Sequence, residues 1–149
     1  MILNKQFTRQ IKRRGLGKED QMHKSFASLI KGYEAIKKLN CVFWTYNASG
    51  EKRPTTSTRE IIGKRNKPIK QRISKTASLL KAKGLQPGQA DFLFIKSGYG
   101  LTWLEFKTET GKQSEKQKEF EAKFKDDYFI VRSVQEGLEI LKKREIILD

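Results

Sequence analysis

The chain is poor in the residues that staple a fold or cage a metal. It has one cysteine, Cys41, and one histidine, His23, among 149 residues. A single thiol excludes an intramolecular disulfide framework and a CxxC metal cage, and a single imidazole excludes a multi-histidine zinc centre. No apolar run approaches the roughly 18 residues that a membrane helix needs. The N-terminus also lacks the apolar core of a signal peptide. The expectation is an intracellular protein, cytoplasmic or nucleoid-associated, in a reducing compartment and without a membrane partner. Acids are scarce as well: 17 Asp and Glu face 32 Lys and Arg, a formal charge of +15. What the chain does have is nine Phe, four Tyr and two Trp within 36% hydrophobic residues. That content argues against wholesale disorder, and a chain of this size can bury roughly 68–70% of its unfolded surface as one domain.

The excess charge is concentrated. Residues 1–18 hold six bases and no acid, and residues 51–83 hold eleven bases against Glu51 and Glu60. Residues 84–149, with eleven bases and twelve acids, are near neutral. Such a distribution is an electrostatic footprint for a polyanion, most often nucleic acid. Residues 1–18, with Gly15 and Gly17 and no clear period, read as a flexible basic arm, and residues 19–149 as one domain. Within the basic segment 51–83, Arg53, Lys64, Arg65, Lys67, Lys70 and Arg72 are the candidate contacts to the nucleic-acid backbone.

Periodicity divides the domain. Met22, Phe26, Leu29, Ile30, Tyr33, Ile36 and Leu39 predict a helix that opens on Glu19-Asp20 and ends near Asn40. Cys41–Tyr46 is β-branched and aromatic and predicts a strand. Pro54, Gly63 and Pro68 argue against one continuous element over 51–72. Ile73, Ala77, Leu79 and Leu80 mark a short helix closed by Gly84. Residues 91–96 and 101–107 predict a hairpin about Ser97-Gly-Tyr-Gly100. A helix over 114–124, a strand over 128–132 and a helix over 134–143 follow. The fold class expected is α/β, with a central mixed β-sheet flanked by helices.

In so basic a chain, acids inside strands stand out. Strand side chains alternate, so Glu105 and Lys107 share a face about 6–7 Å apart, and Leu104 and Phe106 take the other. If hairpin partners sum to 196 or 198, Asp91 lies on the face of Glu105 and Lys107; a sum of 197 would put it on the opposite face. An even sum is predicted. Two converging carboxylates make a hard oxygen site suited to Mg²⁺, for which Mn²⁺ can substitute. Such an ion activates water and neutralises charge on a phosphoryl group, and a neighbouring lysine can orient that water. Glu-x-Lys alone is weak evidence, since Glu121-x-Lys123 shows the same spacing by chance.

The order of motifs adds specificity. Gly84-Leu-Gln-Pro-Gly-Gln-Ala-Asp91, Trp103-Leu-Glu-Phe-Lys107 and Ser114-Glu-Lys-Gln117 resemble the VRR-NUC nuclease domain, a branch of the PD-(D/E)XK, restriction-endonuclease-like superfamily. Glu19-Asp-Gln-Met-His23 resembles that domain's opening helix, and Trp44-Thr-Tyr-Asn47 with Gly50-Glu-Lys-Arg53 its next strand and loop. The likeness covers about residues 19–141, with Ala90 where the family carries proline and a longer, more basic stretch over 53–75. It implies a restriction-endonuclease-like core. It also implies that Asp91, Glu105 and the carbonyl of Phe106 ligate the metal and that Lys107 is the catalytic lysine. Glu19 would approach from the first helix and Gln117 would support the site from the helix after the motif.

The function expected is a Mg²⁺-dependent, structure-selective DNA endonuclease, resolving four-way (Holliday) junctions as the homodimer that the resemblance implies. The alternatives are a flap, nick or single-strand nuclease of the same chemistry, and a non-catalytic nucleic-acid-binding protein. His23 reads as structural, Trp44 and Trp103 as core, and Cys41 as an inert thiol. Asn47 is a candidate for phosphate or metal-bound water. Glu109, Lys112 and Lys116 read as surface charges, Lys112 with DNA as its alternative.

Overall fold

A computed structural model describes residues 17–47, 57–63, 66–98 and 100–149. The arm expected over 1–18 falls almost wholly outside them, as do Arg53, Lys64 and Arg65; of Arg72 only the backbone is described. The chain runs α1 (Lys18–Ala35), β1 (Cys41–Tyr46), β2 (Ser57–Ile62), β3 (Pro68–Ile73), α2 (Lys75–Ala82), β4 (Phe92–Lys96), β5 (Leu101–Phe106), α3 (Glu115–Phe124), a 3₁₀ turn, β6 (Tyr128–Val131) and α4 (Val134–Lys143).

Four strands form a mixed sheet in the order β1-β4-β5-β6. The β1–β4 and β4–β5 pairs are antiparallel, and β5–β6 is parallel. A parallel neighbour needs a crossover connection, and α3 lies in that connection. Alternation then sorts the side chains. Phe92, Phe94, Leu104, Phe106 and Val131 face α1 and α4, where they meet Phe26, Ile30, Leu138 and Leu141 in one buried cluster. Trp103 and Tyr128 face α3 and pack on Phe120, with Leu93, Phe124 and Ile130 around them. The sheet therefore has helices on both faces, as the expected α/β class requires. Among the described residues no helix is long and apolar enough to cross a membrane.

Two expectations are corrected. α1 stops at Ala35, about five residues before Asn40: Lys37 takes φ +58° and Lys38 N–H returns to the Tyr33 carbonyl at 2.9 Å, a turn that ends the helix. Ile36 is left 63% exposed, and Leu39 instead bridges Ile147. The reading that 51–72 is not one continuous element holds, since β2 and β3 pair antiparallel in a second sheet, Glu60 opposite Lys70 and Ile61 opposite Ile69. Ile73 belongs to β3 and not to the helix after it.

Candidate active site

The β4–β5 register is Phe92 with Leu104, Leu93 with Trp103 and Phe94 with Thr102, each pair summing to 196. The even register carries Asp91, one residue before β4, towards Glu105 on the α3 face. Asp91 Oδ2 accepts the Phe106 amide N–H at 2.7 Å, which fixes the carboxylate across the two strands. Phe106, whose carbonyl the resemblance makes a ligand, thus meets Asp91 through its amide.

Glu105 is fully buried. Its Oε1 takes the Lys107 ammonium at 2.6 Å and the side-chain amide of Gln117. Its Oε2 is buried and has no hydrogen-bond partner among the described residues. An unmatched carboxylate oxygen in the interior costs free energy unless something charged or hydrogen-bonding completes it. Burial, then the charge of Asp91, raises its pKa from 4.5 to about 7, against the pull of Lys107. Glu19 adds to the same upward push, so the first helix does bring its acid to this site.

Gln117 is held for this contact by its own helix. Ser114 caps α3 by accepting the Gln117 N–H at 3.3 Å, and Gln117 Oε1 accepts the Ser114 N–H at 2.8 Å. That reciprocal capping box leaves the amide nitrogen aimed at Glu105. The glycine turn before Asp91 packs against the same helix. Gly88 has φ +86°, and a Cβ there would stand 2.4 Å from the Lys116 carbonyl oxygen. Asn47 ties the other side of this turn: its N–H reaches the Asp91 carbonyl at 2.7 Å and its side-chain nitrogen reaches Gln89 at 2.5 Å. Its contacts here are to the chain, to the turn that carries Asp91.

His23 is the residue that sequence reasoning undervalued. Its Nε2 lies 3.1 Å from Asp91 Oδ2, and Nδ1 is buried without a hydrogen-bond partner among the described residues. The rings of Tyr46, Phe92 and Phe106 enclose it. Burial lowers its pKa, but Asp91, then Glu19 and Asp20, outweigh that and raise it overall. Glu19, His23 and Asp91 offer ligand atoms all within 4.8 Å of one another. The available signal was its spacing: four residues after Glu19, one helical turn on the same face.

Glu19, His23 and Asp91 together could hold a metal ion; Glu105, with its unmatched buried oxygen, stands outside that group. Lys67 and Lys70, by contrast, are exposed in and beside β3, in a separate sheet. Cys41 is half-buried, and burial, then Glu34, pushes its thiol pKa up, away from reactivity. No protein-family model, curated protein or solved structure matches the chain.

Proposed function

We propose that the protein is a Mg²⁺-dependent, structure-selective DNA endonuclease with a restriction-endonuclease-like core, related to the VRR-NUC domain. The observation that carries the reading is the even register, which sets Asp91 beside a fully buried Glu105 whose Oε2 has no partner among the described residues. The charge pattern supplies the substrate class, since the excess of bases lies in residues 1–18 and 51–83 while residues 84–149 are near neutral. A four-way junction cut symmetrically would need two copies of the site and so a homodimer.

Asp91 and Glu105 would hold the cation, with Glu19 and His23 at its edge. When bound, the cation supplies Lewis acidity at the phosphoryl oxygen and lowers the pKa of its water. Lys107 orients the attacking water and stabilises the charge that develops on the phosphorus oxygens. Gln117 and the Phe106 amide keep the two carboxylates from swinging away, so the site is set before substrate arrives.

The test is cleavage of four-way junction, flap, duplex and single-stranded DNA in Mg²⁺ or EDTA. Cleavage in Mg²⁺ alone is expected, with losses of at least about 100-fold in Glu105→Ala and Lys107→Ala, the order seen when one electrostatic catalytic group is removed. Binding without cleavage under every metal condition overturns the enzyme reading in favour of a nucleic-acid-binding protein. Cleavage surviving in both variants overturns the site.

A further inference from the structure

We propose that the cavity beside Lys107 is a phosphate subsite, holding a backbone phosphate of the strand being cut close to the scissile one. The proposal rests on the nuclease reading and specifies where the substrate strand leaves the carboxylates.

The cavity measures about 250 Å³. That is below the roughly 300–1,000 Å³ of sites for whole small molecules, and of the size for a phosphate group with its waters. Four cations line it, Lys107, Lys112, Lys118 and Arg132, with Gly111, Gln113 and Ile130 and, among the described residues, no acid in the lining, although Lys118 pairs with the exposed Glu115 at 2.8 Å. Unlike loose surface lysines, Arg132 is locked. Its Nη1 donates to the carbonyls of Thr108, Glu109 and Gly111, the last two at 3.1 and 3.2 Å. The guanidinium thereby ties down the loop that forms one wall, and Nη2 is left with no partner among the described residues. Guanidinium held in this way is suited to the oxygens of a phosphate. Lys107 contributes from the floor, its ammonium 2.6 Å from Glu105.

Position within the sheet argues for the same ligand. Asp91 sits on the β4 side of Glu105, whereas Ile130 is the partner of Glu105 on the β6 side. Neighbouring strands are about 4.8 Å apart, and a DNA strand carries a charge about every 3.4 Å along its axis. A cavity on the β6 side of Glu105, opposite Asp91, is thus placed for a phosphate near the one at the carboxylates.

Lys112 and Lys118 are exposed, so neutralising them spares the fold, while Arg132 is left intact because it holds the loop. The experiment compares Lys112→Gln/Lys118→Gln with Lys142→Gln/Lys143→Gln at the end of α4, which removes the same charge elsewhere. Binding of a labelled single-stranded oligonucleotide is measured against salt in EDTA. The log–log slope should become shallower by about 0.7 for each phosphate no longer neutralised in the cavity variant and stay at the wild-type value in the control. Inorganic phosphate should shift the amide resonances of Gly111, Lys112 and Gln113 in the wild type and not in the cavity variant. Equal slopes in both variants, or no local phosphate shift, overturn the subsite even if DNA is cleaved. A local shift with a changed slope but no cleavage in Mg²⁺ leaves the subsite standing and removes the nuclease reading.

Discussion

Glu105 and His23 hold their protons in the fold to higher pH than they would in the unfolded chain. For Glu105 the folded value is about 7 against 4.5, so its contribution to stability is complete below about 4.5 and is lost as pH rises through 7. The pKa of His23 is also raised, so its contribution is complete below 6.5 and lost above it, in the same direction. A shift of this size corresponds to roughly 3 kcal/mol for Glu105. In EDTA, the midpoint of thermal unfolding should therefore fall by roughly 5–10 °C between pH 5 and pH 8. Mg²⁺ should raise the midpoint at pH 8 far more than at pH 5, because a cation competes with the protons for the same carboxylates. Glu105→Gln should flatten the part of the profile below pH 7; its absolute midpoint also reflects Lys107, which loses its partner. Calorimetry across that range checks all three, and a flat wild-type profile would show Glu105 to be ionised and satisfied at neutral pH. His23 illustrates why this site was only partly legible. Its spacing from Glu19 could be read in the sequence, but the 3.1 Å approach to Asp91 joins residues 68 positions apart, and only the packed sheet decides that.

At the scale of elements, legibility followed the strength of alternation. Phe92, Phe94, Leu104 and Phe106 place one face of β4 and β5 in the core, so strands and register could both be argued beforehand. β2 and β3 offer no such pattern: Arg59, Glu60, Lys70 and Gln71 interrupt the apolar positions, and the described side chains of this sheet are largely exposed, Ile62 at 79%. With no buried face to impose a period, the hairpin left little trace beyond its breakers. The end of α1 was misread because Ile36 and Leu39 continue a helical spacing that the Lys37 turn abandons. The glycine turn before β4 gives a sharper test. Gly84 and Gly88 both have positive φ, but a Cβ at Gly84 meets nothing within 4 Å, whereas at Gly88 it meets Lys116 backbone. Gly84→Ala should cost about 1 kcal/mol from backbone strain alone. Gly88→Ala should cost at least about 2 kcal/mol more, because backbone must move. It should also depress cleavage, since the turn sits between Asp91 and the helix bearing Gln117. Urea unfolding of the two variants decides it; equal costs would show that the turn yields without disturbing α3.

Over the whole molecule, charge and chemistry occupy different parts of the chain. The sheet that carries Asp91, Glu105 and Lys107 belongs to a near-neutral stretch, and the basic segment over 51–83 has its own two-stranded sheet. Isolated two-stranded sheets are marginal in water. This one also displays Ile62 and Ile69, 79% and 50% exposed, and carries Lys67 and Lys70 at the surface. If the segment grips backbone phosphates, duplex affinity should fall steeply with salt, by about 0.9 log units per tenfold salt for each phosphate neutralised. Replacing Lys64, Arg65, Lys67 and Lys70 with Gln should flatten that slope by the equivalent of about two to three phosphates. The thermal midpoint should not fall, because the described pair, Lys67 and Lys70, is exposed. Hydrogen exchange adds an independent reading: the β2 and β3 amides should slow when DNA binds, as pairing that is marginal alone becomes braced. An unchanged slope together with unchanged exchange would make the segment a bystander. The grip would then fall to the cations around Lys107, and the +15 charge would describe solubility more than substrate.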